Sequence, residues 1–227
     1  MIGVFDSGVG GLTAVAELRR VAPLADICFF ADRKNAPYGT KQQKELISLV
    51  TEDVKKLRSA GADKILMACC TASSVHRLLP EDIRSIAYPI IAPAAKEAAR
   101  VTKNGKIAVI ATDATVASHA FSSELLKYPT VKEVLEIPLQ PLVSMIERGA
   151  RDRNLCDTDR QLLVEMLSEI GEKGQDTLIL GCTHFPHLEN EIKSILPKIK
   201  TVNPSREGAL EIIKYVSGNG SGQTIYM

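Results

Sequence analysis

The chain has 227 residues, a formal net charge of +1 and a hydrophobic content of 45%, which fits one large globular domain or two small ones. The near-neutral charge excludes bulk electrostatic binding to nucleic acid or to an anionic membrane. Aromatic residues make up only 4% and Trp is absent, which argues against a base-stacking platform. No apolar stretch has the length of a membrane span. An odd count of five cysteines indicates reduced thiols in the cytoplasm.

The first part of the chain alternates apolar runs with helical patterns. Strands are predicted at 2–5, 27–31 and 65–68, and helices at 12–20 and 42–60. A glycine-rich turn, Asp6 to Gly11, follows the first strand, and Asp32 ends the second. This order of elements is typical of an α/β architecture with a parallel sheet.

The second part of the chain repeats that order. Strands are predicted at 106–110, 134–137 and 178–180, with helical patterns up to residue 126 and across 157–171. We therefore predict two similar parallel-sheet α/β lobes related by a pseudo-twofold, with the active site in the cleft between them. Crossings at Pro89 to Pro93 and at Asn203-Pro204 divide the chain into a first lobe, residues 1–92 plus 205–227, and a second lobe, residues 93–204.

Two segments resemble each other and carry a cysteine at the same place. Residues 65–71 read Ile-Leu-Met-Ala-Cys-Cys-Thr, and residues 178–184 read Leu-Ile-Leu-Gly-Cys-Thr-His. In each, an apolar run typical of a buried parallel strand leads to a small residue and then to Cys69 or Cys182. Ligands bind beyond the carboxyl ends of such strands. The pattern predicts one thiol on each side of a small molecule, whereas a lone cysteine is often only a buried apolar residue.

These motifs also have two other interpretations, a dinucleotide-binding turn and a metal site. The turn after the first strand, with Asp32 further on, is similar to a dinucleotide-binding fingerprint, but Thr13 replaces its last glycine and Asp6 would repel a pyrophosphate. A tight turn without a ligand remains the structural alternative, beside a loop whose amides and Ser7 hold a carboxylate while Asp6 points into the site. Cys182, His184 and His187 are spaced too closely for the usual zinc patterns, so no metal is expected.

The thiols need help to act as bases. A free thiol is only about 3% thiolate at pH 7. A helix N-terminus directly after each strand is expected to lower the thiol pKa. Asp6 and His184 are the neighbouring groups that we expect to manage the protons.

With these motifs in view, nearly the whole chain resembles glutamate racemases of the cofactor-independent aspartate/glutamate racemase superfamily. The segments that carry the resemblance are 3–13, Pro37-Tyr38-Gly39, 69–72 and 181–186. The resemblance implies two α/β lobes, no cofactor, and racemisation of glutamate that supplies D-glutamate for peptidoglycan.

The resemblance also implies a role for ten residues. Cys69 and Cys182 match the catalytic cysteines, and Asp6 and His184 match their polar helpers. The positions that match substrate contacts are Ser7, Tyr38, Gly39, Thr71, Thr183 and, as a departure, Cys70. Cys70 stands where the family has an Asn that helps to hold the amino-acid head group, and a thiol is a weaker donor and acceptor than an amide.

The reaction expected from this resemblance is a 1,1-proton transfer, in which one thiolate removes the Cα proton and the other thiol protonates the opposite face. Cys70 leaves open a racemase for aspartate or another amino acid. A racemase-like binding or regulatory protein with little turnover is the alternative of another class. We expect glutamate as the small-molecule substrate, no nucleic-acid or membrane partner, and a homodimer as an assembly to be tested.

Overall fold

The computed structural model describes residues 1–149, 156–216 and 220–227, and the side chains of 148 and 149 are outside this description. Within these residues there are nine strands in two sheets. The strands are β1 (Ile2–Asp6), β2 (Ile27–Ala31), β3 (Lys64–Met67), β4 (Ala87–Pro89), β5 (Lys106–Ala111), β6 (Glu133–Pro138), β7 (Thr177–Gly181), β8 (Lys200–Val202) and β9 (Thr224–Tyr226).

Eleven α-helices connect these strands in the described part of the chain. They are α1 (Leu12–Val21), α2 (Gln43–Ser59), α3 (Cys70–Ser74), α4 (Glu81–Arg84), α5 (Ile91–Val101), α6 (Asp113–Ala117), α7 (Ala120–Leu125), α8 (Gln140–Gly149), α9 (Asp157–Glu172), α10 (Glu189–Ile195) and α11 (Pro204–Ile212). Short 3₁₀ turns include Val9–Gly11, Tyr38–Thr40 and Phe185–Leu188. None of the described helices combines the length and apolarity needed to cross a bilayer.

The two sheets share a four-strand topology, and sheet A has one further strand at its edge. Sheet A has the order β4-β3-β1-β2-β9 and sheet B the order β8-β7-β5-β6, and every strand pair is parallel. Strand β3 therefore corresponds to β7, and β1 corresponds to β5. This confirms the predicted fold class of two similar parallel-sheet α/β lobes, and it explains why the two cysteine segments look alike.

The inner helices join both sheets into one apolar core. This core contains Val4 and Leu66 of sheet A together with Val109 and Ile179 of sheet B, and all four are fully buried. Residues of α1, α5 and α11 fill the space between the sheets. The lobes are therefore packed against each other rather than tethered by a linker.

Each sheet is covered on its other face by a long amphipathic helix. Helix α2 buries Leu46, Val50, Val54 and Leu57 against sheet A, at the three- and four-residue spacing of one helix face. Helix α9 buries Leu163, Leu167 and Ile170 against sheet B in the same way. These outer helices leave the carboxyl ends of the strands open to form a site.

The lobe limits at 92/93 and 204/205 fall in the first turns of α5 and α11. Strand β9 pairs with β2, so the end of the described chain returns to sheet A. We keep residues 1–92 plus 205–227 and residues 93–204 as the proposed division. The two lobes differ after their first strands. Asp6 is buried at the end of β1, whereas Asp113, which follows the corresponding strand β5, is exposed at the start of α6.

Candidate active site

A small cavity lies where the carboxyl ends of both sheets meet. The space in it that water-sized groups can occupy is about 30 Å³. Nine of the ten residues expected from the sequence line it. The complete lining is Ser7, Pro37, Tyr38, Gly39, Cys69, Cys70, Thr71, Thr112, Gln140, Val143, Gly181, Cys182, Thr183 and His184. The tenth residue, Asp6, lies directly behind this lining and is 1% exposed.

Cys69 lies between β3 and α3 on the sheet A side of the cavity. Its sulfur caps α3 by accepting the Ala72 backbone N–H at 3.5 Å, and the Ser7 hydroxyl is 3.7 Å away. Only 6% of the residue is exposed. The end of the strand and the cap together fix the sulfur at the wall of the cavity.

Cys182 occupies the equivalent place after β7, on the sheet B side. Its Sγ lies 3.6 Å from Nδ1 of His184, and the residue is 8% exposed. The other ring nitrogen of His184, Nε2, lies 3.3 Å from Oε1 of Glu147 on α8. Each sulfur therefore has its own polar neighbour, which is a hydroxyl for Cys69 and an imidazole for Cys182.

Backbone amides after the two strands lower the thiol pKa values in the direction that the sequence suggested, but burial outweighs them. Burial, followed by the negative charge of Asp6, raises the pKa of Cys69 to about 12. Burial likewise raises the pKa of Cys182, against the effect of a hydrogen bond from the His184 backbone. The structures after the two strands are one five-residue helix and one 3₁₀ turn, which are too short to offset desolvation.

Asp6 lies between the glycine-rich loop and the Cys69 thiol at the cavity wall. Its Oδ2 accepts the backbone N–H of Gly11 at 2.8 Å and that of Gly8 at 3.3 Å. The Thr183 hydroxyl, from the opposite lobe, lies 3.4 Å from both carboxylate oxygens. Burial raises the pKa of Asp6, and the electrostatic influence of His184 is the largest that opposes this rise. Two of the loop amides, those of Gly8 and Gly11, are thus engaged by Asp6.

Two of the three glycines in this loop lie very close to neighbouring side chains. A Cβ on Gly10 would overlap Thr183 Oγ1 and the His184 ring, and one on Gly11 would overlap Asp6. A Cβ on Gly8 would meet nothing within 4 Å. None of the three has a left-handed φ. The second lobe therefore requires a glycine at position 10, and the Asp6 side chain of the first lobe requires one at position 11.

Three threonine hydroxyls close the opposite side of the cavity. Thr71 Oγ1 lies 2.8 Å from Thr112 Oγ1 and 3.1 Å from Thr115 Oγ1, and the last two are 2.8 Å apart. Thr71 belongs to α3, whereas Thr112 caps α6 and Thr115 lies within it. This ring of hydroxyls is a direct polar link between the lobes.

Tyr38 lines the cavity but turns its hydroxyl away from it. The hydroxyl oxygen is 2.7 Å from Oδ2 of Asp32 and 2.7 Å from Oδ2 of Asp53. Gly39 lies so close to the second lobe that a Cβ would overlap Oε1 of Gln140 and the Thr112 side chain. The loop from Pro37 to Gly39 thus forms one wall of the site and contacts both lobes.

Cys70 is at the cavity wall and 2% exposed. Burial raises its pKa well above the usual value, and the nearby Cys182 and Cys69 raise it further. It is packed in the apolar core that joins the two sheets. Its environment is that of a neutral thiol beside the two flanking cysteines.

Sequence reasoning missed Thr112, Gln140 and Val143. Thr112 follows directly after β5, the counterpart of β1, so the rule that ligands bind at strand ends was a usable signal for it. Gln140 and Val143 lie on α8 after an edge strand and carry no such signal. In the described part of the chain, no group of three or more His, Cys, Asp or Glu side chains is arranged to hold a metal ion.

Comparison with known proteins places this geometry in a family. The family model for Asp/Glu/Hydantoin racemase matches residues 15–210. The chain is 38% identical over 224 residues to a glutamate racemase of Persephonella marina, covering 98% of this chain and 85% of the relative.

Solved structures agree with this match. A glutamate racemase isoform of Bacillus anthracis superposes with a TM-score of 0.87 at 31% identity, covering 100% of this chain and 86% of that one. A glutamate racemase of Francisella tularensis, solved with D-glutamate, superposes with a TM-score of 0.85 at 29% identity, covering 99% and 85%. The chain, with its two sheets and paired strand-end cysteines, belongs to the Asp/Glu/Hydantoin racemase family.

Proposed function

We propose that this protein is a glutamate racemase, an isomerase that interconverts L- and D-glutamate without a cofactor. The observation that carries the proposal is the pair of buried cysteines, Cys69 and Cys182, at equivalent strand ends on the two sides of one cavity. The glutamate racemases among its relatives, at over 30% identity across nearly the whole chain, support the substrate.

The proposed reaction moves one proton off Cα and another onto it. The thiolate of one cysteine accepts the Cα proton, and the electron pair of the broken C–H bond stays on the substrate as a carbanion conjugated with its carboxylate. The thiol of the other cysteine then donates its proton to the opposite face, becomes a thiolate, and leaves the inverted amino acid. Two bases on opposite faces account for inversion, and the enantiomer bound decides which of Cys69 and Cys182 accepts.

On each side of the cavity, a neighbouring group can accept the proton of the cysteine that acts as base. Asp6 lies behind Cys69 and is the group we assign to receive its proton, while His184, 3.6 Å from the Cys182 sulfur, is assigned that role on the other side. The raised thiol pKa values mean that both cysteines are protonated in the closed site without substrate. The α-ammonium group of the amino acid brings a positive charge that favours the thiolate.

We propose that substrate enters when the lobes separate, because the closed cavity is narrow and both cysteines in its wall are buried. The lobes are held near the site by the hydroxyl ring at Thr71 and by the contact of Thr183 with Asp6. Closure after entry excludes water from the carbanion. The side chains and backbone that we propose as substrate contacts are those of Ser7, Tyr38, Gly39, Cys70, Thr71 and Thr183.

We further propose that the enzyme works in the cytoplasm, supplies D-glutamate for peptidoglycan, and does so as a homodimer. Light scattering of the purified protein tests the last point. A second candidate substrate is aspartate or another amino acid, because Cys70 replaces the amide expected at the head-group position. A racemase-like binding protein with little turnover is the alternative of another class.

Racemisation by the purified, dialysed protein tests the proposal. Circular dichroism or polarimetry follows L- and D-glutamate separately, beside aspartate, alanine and serine as comparison substrates. In deuterium oxide, deuterium is expected at Cα of both enantiomers. Preferred turnover of aspartate would favour the second candidate, and no turnover of any amino acid would favour the binding protein.

A further inference from the structure

A pair of buried carboxyl groups flanks the Tyr38 hydroxyl, outside the reaction described above. Asp32 follows β2 and Asp53 lies in the middle of α2, and each is 3% exposed. Tyr38 itself is fully buried. Its hydroxyl oxygen lies 2.7 Å from one oxygen of each carboxyl group.

The two short contacts of the Tyr38 hydroxyl oxygen require two protons. A tyrosine hydroxyl donates one hydrogen bond, so it cannot donate to two carboxylates at once. The second short contact needs a proton on one of the carboxyl groups, which then donates to the tyrosine oxygen. Both oxygens of Asp32 already accept from the Asn35 side-chain amide, at 2.8 and 3.1 Å. The additional proton therefore belongs on Asp53.

The position of Tyr38 matters to the cavity through its neighbour in the chain. Tyr38 and Gly39 form the 3₁₀ turn that lines the site, and Gly39 packs against Gln140 and Thr112 of the other lobe. A shift of the Tyr38 ring would move this wall. The ring is held from below by α2 through Asp53, a residue that does not itself reach the cavity.

We propose that Asp53, in its protonated form, is a positioning residue that fixes the Tyr38–Gly39 wall of the substrate cavity, and that loss of its proton loosens this wall. The proposal deepens the proposed racemase function and rests on it for the substrate. Asp53 acts through Tyr38 and not by touching glutamate.

The surroundings of Asp53 place its proton loss near neutrality. Burial raises the pKa of Asp53 to about 7, against the effect of the Tyr38 hydroxyl, which favours the ionised carboxylate. Among the charged groups that face it, Asp32 from the end of β2 and Glu52 from α2 raise the pKa further, and Lys56 from α2 lowers it. The remaining side chains packed around this face of α2 are mainly apolar.

The protonation state of Asp53 decides how glutamate binding and stability change with pH. Below pH 7 the proton is present and joins Asp53 to Tyr38. Above pH 7 two carboxylates face one hydroxyl, one contact is lost, and the like charges repel. Glutamate binding is therefore expected to weaken with rising pH, and the folded state to lose stability between the unfolded-state pKa of Asp, near 4, and pH 7.

The test compares wild type with Asp53→Asn, in which an amide of nearly the same shape donates without titrating. Glu45→Gln is the matched control, since it makes the same change at an exposed position of α2 that pairs with Lys41. Between about pH 6 and about pH 8.5, the KM of wild type and Glu45→Gln for glutamate is expected to rise about fivefold more than that of Asp53→Asn, as for one hydrogen bond. Equal pH profiles of KM in all three proteins overturn the proposal.

Two further measurements do not depend on turnover. The melting temperature of Asp53→Asn is expected to exceed that of wild type at pH 8 and to approach it near pH 4. The carboxyl carbon of Asp53 in ¹³C-labelled wild type is expected to titrate with a midpoint near pH 7, and a midpoint below about pH 5 overturns the proposal even if the variant does not fold. If wild type fails to racemise glutamate, the proposed function fails, and these two measurements decide the protonation of Asp53 separately.

Discussion

The hydroxyl oxygens of Thr71 and Thr112 lie 2.8 Å apart, and they join the helix after β3 to the helix after β5. Both groups are buried at the cavity. Their contact lies where the proposed opening would part the two lobes. We therefore expect it to act on the balance between the closed and the open protein.

Replacement of Thr112 by Val tests that link, because Val keeps the shape and removes the hydroxyl. The loss of buried hydrogen bonds is expected to lower the free energy of unfolding by about 1–3 kcal/mol and to raise the KM for glutamate. Urea unfolding and steady-state kinetics measure the two effects. Thr51→Val is the control, since the Thr51 hydroxyl donates within α2 to the Ile47 carbonyl and has no interlobe partner among the described residues. Equal results for the two variants would show that the interlobe link contributes nothing.

Gly10 and Gly8 form a matched pair for the glycine-rich turn. In Gly10→Ala the new methyl group meets Thr183 and the His184 ring, so kcat is expected to fall by at least about tenfold through displacement of catalytic groups. In Gly8→Ala the methyl group meets nothing within 4 Å, and activity is expected to stay near that of wild type. Racemisation rates of the two folded variants decide the point. A Gly10→Ala variant as active as Gly8→Ala would mean that the close packing against Thr183 is dispensable.

Exchange of either sulfur for oxygen tests the two-thiol reaction. Cys69→Ser and Cys182→Ser are each expected to lower kcat by several orders of magnitude, because a serine hydroxyl is far less acidic than a thiol. Cys28→Ser, at a buried cysteine distant from the cavity lining, is the control. Near-normal racemisation by either site variant would exclude the proposed mechanism.

Cys70 is the departure from the family pattern. Cys70→Asn is expected to lower the KM for glutamate by about tenfold, corresponding to about 1 kcal/mol or slightly more for a regained hydrogen bond. Cys70→Ala is expected to leave kcat within about tenfold, since the neutral thiol is assigned no proton transfer. Steady-state constants on both enantiomers measure these effects. A loss of turnover in Cys70→Ala as large as that in Cys69→Ser would make Cys70 a catalytic thiol.

Alkylation separates the buried thiols from an exposed one. Burial raises the pKa of Cys69 to about 12, so its reaction with iodoacetamide is expected to be slow at neutral pH and to accelerate about tenfold per pH unit. Cys156, which is exposed, is expected to be labelled first. Peptide mass spectrometry after timed labelling gives both rates. Fast labelling of Cys69 at pH 7 would mean that its thiolate is already present without substrate.

The sequence predicted the elements that place Cys69 and Cys182, because a buried parallel strand followed by a small residue is a local pattern. It did not indicate that burial raises the thiol pKa values, because desolvation depends on how the other lobe covers the sulfur. It gave no signal for the partners of the Tyr38 hydroxyl, because Asp32 and Asp53 meet only after folding. Gln140 was missed for the same reason, since its contact with Gly39 crosses between the lobes.

The order of the strands in sheet A has a consequence for how the protein folds during synthesis. All strands of sheet B come from the continuous stretch 106–202, so that sheet can pair fully as soon as this stretch has left the ribosome. Strand β9 reaches its partner β2 only after every strand of sheet B has been made. Until then one edge of β2, which carries Phe29 and Phe30, lacks its partner strand, and such an edge is prone to pair with another nascent chain. Contacts with such long sequence separation are closed slowly, so we expect the docking of β9 to be a late step of folding.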